Sequence, residues 1–116
     1  MTDQERKRTD LKLIATPFSY GDLVGYQESS IVSRTIIDKT EGTVTVFAFD
    51  AGQRLSTHSA SFDALAEVIE GSGLFTIEGT DHEVSAGRQI ILPANKPHAV
   101  SATGRFKMVL IMIRAK

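Results

Sequence analysis

The stretch Gly52–Gly71, GQRLSTHSASFDALAEVIEG, decides how this chain is read. Two glycines bracket a Ser/Thr-rich segment with a single histidine, His58, and then an apolar run. Only DALAEVIE, Asp63–Glu70, could pass for a helix anywhere in the chain. Its bounding glycines, with Gly71-Ser72-Gly73 closing it before LFTIEG, favour a pair of strands instead.

The flanking sequence has the same cadence. SIVSRTIIDK and TVTVFAFD are β-branched and aromatic, and KTEG between them closes a hairpin. GLFTIEG, HEVSAG, RQIILPA and FKMVLIMIR follow at short spacing, each bounded by Gly, Pro, Asn or Asp. Such a rhythm predicts an all-β sandwich or barrel, because βαβ units would need helical segments between strands. MVLIMI, Met108–Ile113, is apolar at both parities, so that strand must be covered on both faces. A closed or two-sheet barrel with an outer face buried against a second subunit meets this requirement, and Met108 and Met112 read as core.

Composition narrows the functional classes. The chain has 116 residues, a hydrophobic fraction of 41%, a charged fraction of 23% and a net charge of -1. One globular domain is expected, with no electrostatic attraction for nucleic acid. Without cysteine there is no disulfide, thiolate ligand or cysteine nucleophile. No leader peptide and no apolar run of membrane-spanning length is read, so a cytoplasmic protein with no membrane partner is the expectation. Residues 1–30 read as an N-terminal arm and edge segment, charged at first and then irregular around Gly21 and Gly25, and residues 31–116 as the barrel.

Two motifs give the barrel an identity. Gly52, His58 and Gly71 fall on the frame Gly, five residues, His, one residue, His, three or four residues, Glu, six residues, Gly, with Glu70 just before the last glycine. Gly87, Pro93 and His98, in GRQIILPANKPHAVSA, fall on Gly, five residues, Pro, one residue, Gly, two residues, His, three residues, Asn. In this order, and separated by a hairpin, they resemble the two motifs of the cupin family. The resemblance implies a double-stranded β-helix, the jelly-roll barrel, in which two histidines and a glutamate of the first motif meet the histidine of the second on one divalent metal. It implies iron, manganese, zinc or nickel as the cofactor, although no cofactor follows from the residues alone.

The frame is kept where the ligands are not. Ala60 stands at the second histidine and Ala64 at the glutamate; Asn95 and Ala102 replace the second motif's glycine and asparagine. Asn tolerates positive φ, so that turn can survive. His58 and His98 remain as metal ligands, and Asp63 is the nearest spare carboxylate if its loop bulges inward. Glu67 shares its parity, and Glu70 has the inward parity at the strand's far end. A two-histidine, one-carboxylate set would suit non-haem iron. The competing reading makes His58 and His98 neutral residues of a pocket wall with Phe47, Phe49, Ala60, Ala64 and Ala102, the alanines enlarging an apolar cavity for a small organic molecule. His82 reads as a solvated turn residue. Lys96 and Arg54 are candidates for drawing an anion to the mouth, and Ser56 shares the side of His58 if the strand alternates regularly. Whether the chain is an enzyme stays open between these readings. A homodimer is expected, as jelly rolls leave sheet edges and an outer apolar face.

Overall fold

The structure, a computed structural model, describes residues 8–114. Its strands are β1 (Arg8–Thr9), β2 (Ile31–Lys39), β3 (Gly42–Phe49), β4 (Arg54–His58), β5 (Ala64–Glu70), β6 (Ser72–Ile77), β7 (Thr80–Ser85), β8 (Gln89–Leu92), β9 (His98–Ser101) and β10 (Phe106–Ile113). They form a six-stranded sheet in the order β1-β2-β3-β10-β5-β8 and a four-stranded sheet in the order β4-β9-β6-β7. All the pairings are antiparallel, the architecture of the double-stranded β-helix expected from the sequence. DALAEVIE is β5, a strand as read.

The hairpin after β6 turns at Glu78–Gly79, with φ of 50° and 80°, as a two-residue turn with both central residues left-handed requires. His82 therefore lies beyond the turn, exposed within β7 opposite Phe75, rather than in the turn itself.

The centre of the large sheet is β10, between β3 and β5. Phe106, Met108 and Leu110 point inward and pack with Phe49, Val68 and Phe75. Val109 and Ile111 point outward. The rings of Phe49 and Phe106 stack at 4.6 Å, and Phe75 meets Phe106 edge-on at 6.3 Å. Gly73 makes room for them, since a Cβ there would lie 2.6 Å from the Phe106 ring. This aromatic floor closes one end of the barrel.

The outer face is covered in part by the chain itself. Tyr20, Leu23, Val24 and Tyr26 pack on Val46, Ala48 and Val109, where a second subunit was the expected cover. Lys107 is 9% exposed and its Nζ donates to the Gly21 carbonyl at 2.7 Å. The Tyr26 hydroxyl donates to the Glu70 carboxylate, and the Arg105 guanidinium and Lys107 ammonium lie 5.1 and 5.0 Å from the Tyr26 ring centroid. Desolvation first, and the Glu70 carboxylate second, raise the Tyr26 pKa well above its usual value. The first seven residues of the arm lie outside the described residues.

That contact corrects the expected direction of Glu70. Alternation from Ala64 would carry it inward, but the register shifts between Lys107 and Met108, so Met108 faces Val68 and Lys107 faces Glu70. The bulge at Ile69 reverses the parity, and Glu70 turns to the outer face.

Candidate functional site

His58 ends β4 and His98 begins β9, and the two are direct cross-strand partners. Their Nε2 atoms are 3.2 Å apart and their rings stand edge-to-face at 73°. The same row of the small sheet continues to Ile77 on β6. Both sheets step away from Phe106 toward this end, so the histidines sit opposite the aromatic floor, at the barrel's other end.

A bulge brings them together. Leu55 pairs with Val100 while His58 pairs with His98, so three residues of β4 are spanned against two of β9. Leu55 and His58 therefore share the inward face, and the regular alternation that would put Ser56 beside His58 is broken. Ser56 instead contributes its carbonyl, at 2.9 Å from His58 Nδ1. A carbonyl only accepts, so Nδ1 of His58 carries the proton and Nε2 of the neutral ring is a bare acceptor.

The loop before His98 is tied on two sides. Asn95 N–H donates to the Ala60 carbonyl at 2.7 Å, Ala94 N–H to Asp63 Oδ1 at 2.8 Å, and Glu78 N–H to the Pro97 carbonyl at 2.9 Å. Asn95 has φ of 63°, the left-handed conformation anticipated for the residue in the glycine's place. Pro97 fixes φ immediately before His98.

His98 is 5% exposed, whereas His58 reaches solvent. Burial pushes the His98 pKa below its ordinary 6.5, the nearby His58 ring adds to this, and the Lys96 carbonyl partly opposes it. His98 Nδ1 is buried and makes no well-formed hydrogen bond. A buried polar atom in that condition is accounted for by strain, by a bound water or ion, or by a functional partner.

Two proton arrangements fit the pair. With both rings neutral, His98 donates Nε2–H to His58 Nε2, and His98 Nδ1 is left a buried acceptor without a donor. With the proton on His98 Nδ1, toward the Lys96 carbonyl, two lone pairs face each other at 3.2 Å and require a cation or a donor between them.

The donor set meets the needs of a divalent metal only in part. Two imidazoles on one tetrahedral ion, at about 2.0–2.1 Å each, would have their nitrogens roughly 3.3 Å apart. The observed separation suits such a cis pair. A third protein ligand does not join it, because Asp63 holds the Ala94 amide and lines an outer groove with Leu65, Ile91, Ile111 and Ile113. Among the described residues no three His, Asp or Glu side chains group together. Two imidazoles do not meet the three or four donors of a tightly held metal.

The expected pocket residues divide. Phe49, Ala64 and Ala102 are buried in the core with Phe75, Phe106 and Met108, and half-buried Phe47 packs against them. Ala60 lies in the loop that holds Asn95. Arg54 pairs with Ser101, on the face away from Val100 and His98, and Lys96 pairs with Glu78 at 3.8 Å, both exposed. Thr35 and Thr45, whose hydroxyls meet at 3.1 Å, share the inward face of β2 and β3 one row beyond Phe47. The sequence reading missed them, although the period-two pattern through Phe47 and Phe49 marks Thr45 as inward.

The sequence profile of the cupin domain matches residues 45–114. The chain belongs to the cupin family. A conserved protein of unknown function from Streptococcus pyogenes superposes on this cupin with a TM-score of 0.84 and 29% identity, covering 88% of this chain and 90% of that one. A cupin 2 conserved barrel domain protein from Leptotrichia buccalis gives 0.83 and 38%, covering 85% and 48%. Among curated proteins, dimethylsulfoniopropionate lyase DddW of Ruegeria pomeroyi is 31% identical over 74 residues, 60% of this chain and 49% of that protein. The chain thus spans about half the length of the curated relative it matches. No helix among the described residues is long and apolar enough to cross a membrane.

Proposed function

We propose that this cupin binds a small organic molecule at the barrel mouth, with the His58–His98 pair as its polar anchor. The observation that carries the proposal is the orphaned Nδ1 of buried His98 beside the 3.2 Å contact of the two Nε2 atoms. A ligand that places a hydroxyl or ammonium proton donor against the two Nε2 atoms replaces their mutual hydrogen bond. His98 then moves its proton to Nδ1, toward the Lys96 carbonyl, and the unsatisfied acceptor disappears. Exposed His58 is the ring such a ligand meets first. The aromatic floor of Phe49, Phe75 and Phe106 limits binding to the mouth end of the barrel.

A second reading, a divalent-metal-dependent enzyme of the isomerase or dioxygenase type, is favoured by the cis separation of the two Nε2 atoms. Waters or substrate would have to complete the coordination, because Asp63 is engaged elsewhere. Bound there, iron, manganese, zinc or nickel would supply Lewis-acid or, for iron, oxygen-activating chemistry.

Thermal-shift screening of untagged, chelator-treated protein against hydroxy acids and amines tests the first reading. A ligand that raises Tm in the wild type and fails to do so in His58→Ala and His98→Ala supports it. A panel with no such ligand, together with stoichiometric metal uptake lost in either variant, overturns it in favour of the second reading.

A further inference from the structure

The β1 edge of the large sheet carries charges that the histidine pair does not use. Thr35 pairs with Thr45 and Asp38 with Thr43, and Thr43 pairs with Met112, the partner of buried Ala64. Directly paired residues of neighbouring strands share a face, so Thr35 and Asp38 lie on the inner side of the sheet. Arg8 of β1 is the direct partner of Asp38 and extends that side by one strand. A groove of about 390 Å³ opens there, lined by Arg8, Thr9, Asp10, Leu11, Thr35 and Asp38. Its size is that of a small-molecule site.

The groove's two carboxylates differ. The Arg34 guanidinium closes on Asp10, with Nε and Nη2 donating to Oδ2 at 2.9 and 2.7 Å, and the Lys12 amide donates to Oδ1 at 3.1 Å. Asp10 is thereby satisfied. Opposite charges directly across a strand pair attract. Yet among the described residues neither Arg8 nor Asp38 forms an ion pair, with the other or with any further charged group. A guanidinium fork and a carboxylate therefore line one space side by side.

We infer that this groove binds a free α-amino acid with an aliphatic side chain. The Arg8 fork takes the ligand's carboxylate through two parallel hydrogen bonds, and the Asp38 carboxylate takes its ammonium. Directly opposed residues have Cβ atoms about 4.5–5.5 Å apart, so one ligand meets both only if its opposite charges are close neighbours. An α-amino acid carries both groups on one carbon. A simple carboxylate or a simple amine leaves one of the two protein charges unmatched, and a peptide holds its terminal charges too far apart. The Thr35 hydroxyl, 3.1 Å from that of Thr45, has hydrogen-bonding capacity left for the ligand. Leu11, 79% exposed, offers apolar surface for an aliphatic side chain to cover. The groove includes neither His58 nor His98, and the inference does not rest on the reading of that pair.

Titration of the ¹⁵N-labelled full chain with L-leucine, followed by ¹H–¹⁵N correlation spectra, tests it. Saturable shifts are expected at the amides of Arg8, Asp10, Thr35 and Asp38, with a dissociation constant of about 0.1–10 mM for so small a ligand. N-Acetyl-L-leucine lacks the ammonium and L-leucinamide lacks the carboxylate; each is expected to bind at least about tenfold more weakly. Asp38→Asn should weaken L-leucine to the same extent and leave N-acetyl-L-leucine unchanged. Arg8→Gln should weaken L-leucine and leave L-leucinamide unchanged, whereas His58→Ala should alter none of the three. No saturable shift up to about 50 mM overturns the inference, as does wild-type affinity for L-leucine in Asp38→Asn or Arg8→Gln. Shifts confined to the surroundings of His98 and abolished by His58→Ala also overturn it, and assign the amino acid to the histidine pair instead.

Discussion

Gly73 and Phe106 form a pair whose coupling can be worked out from the structure. An alanine Cβ at position 73 would lie 2.6 and 2.7 Å from Cε2 and Cζ of Phe106 and 3.0 Å from Cε1 of Phe75. The φ of Gly73 is not in the left-handed range, so Gly73→Ala carries steric cost alone. Overpacking of a filled core costs about 1–3 kcal/mol. Phe106 is fully buried, and truncation of such a ring to alanine costs about 3–5 kcal/mol, so Phe106→Leu, which keeps part of the side chain, should cost about 2. Leucine lacks the two ring atoms that the new methyl would strike. The double variant should therefore be more stable than the sum of the singles implies, by about 1–2 kcal/mol, with Phe75 retaining a small residual clash. Urea denaturation at 25 °C of all four proteins, followed by circular dichroism, measures the cycle. Additive costs within about 0.3 kcal/mol would refute the claim that the aromatic floor dictates the glycine, and with it the claim that this end of the barrel is filled.

Further predictions follow from single contacts. Because His98 titrates below its ordinary 6.5 when folded, the unfolded chain binds more protons under mildly acidic conditions. Stability is full above that value and is lost as pH falls through the depressed folded pKa, by at most about 1.4 kcal/mol per pH unit; His98→Gln should remove this loss in denaturation series from pH 8 to about 5. Lys107→Met leaves the Gly21 carbonyl without its donor and should cost about 1–3 kcal/mol, with faster amide exchange confined to the segment around Gly21–Tyr26. Asn95→Ala, at φ of 63°, should lose about 1–2 kcal/mol in the same assay while Asn95→Gly loses almost nothing.

The strand cadence was legible from residue type and spacing, whereas the meeting of His58 with His98 and the left-handed turn at Asn95 were legible only through the resemblance of their motifs to those of the cupin family. Local register defects were not. The bulges at Ser56–Thr57 and at Ile69 leave no mark in the sequence, yet they put Leu55 on the side of His58 and turn Glu70 outward. Asp63 was read for its charge, but its carboxylate serves the Ala94 amide, a contact between two loops that no periodicity encodes. The docking of Tyr20–Tyr26 was equally hidden, because an irregular segment has no repeat to display its apolar side. The two apolar parities of Met108–Ile113 did announce cover on both faces, without saying that the chain itself supplies part of it.

The proton positions of the histidine pair decide whether His58 and His98 form the ligand anchor. A long-range ¹H–¹⁵N correlation spectrum of the imidazoles, taken on chelator-treated protein above pH 7.5, reads which nitrogens are protonated. Protonation is expected at Nδ1 of His58 and Nε2 of His98 without ligand, with the His98 proton shifting to Nδ1 when a ligand binds. A His98 ring protonated at Nδ1 from the outset would contradict it, as would two rings whose signals ignore one another's substitution.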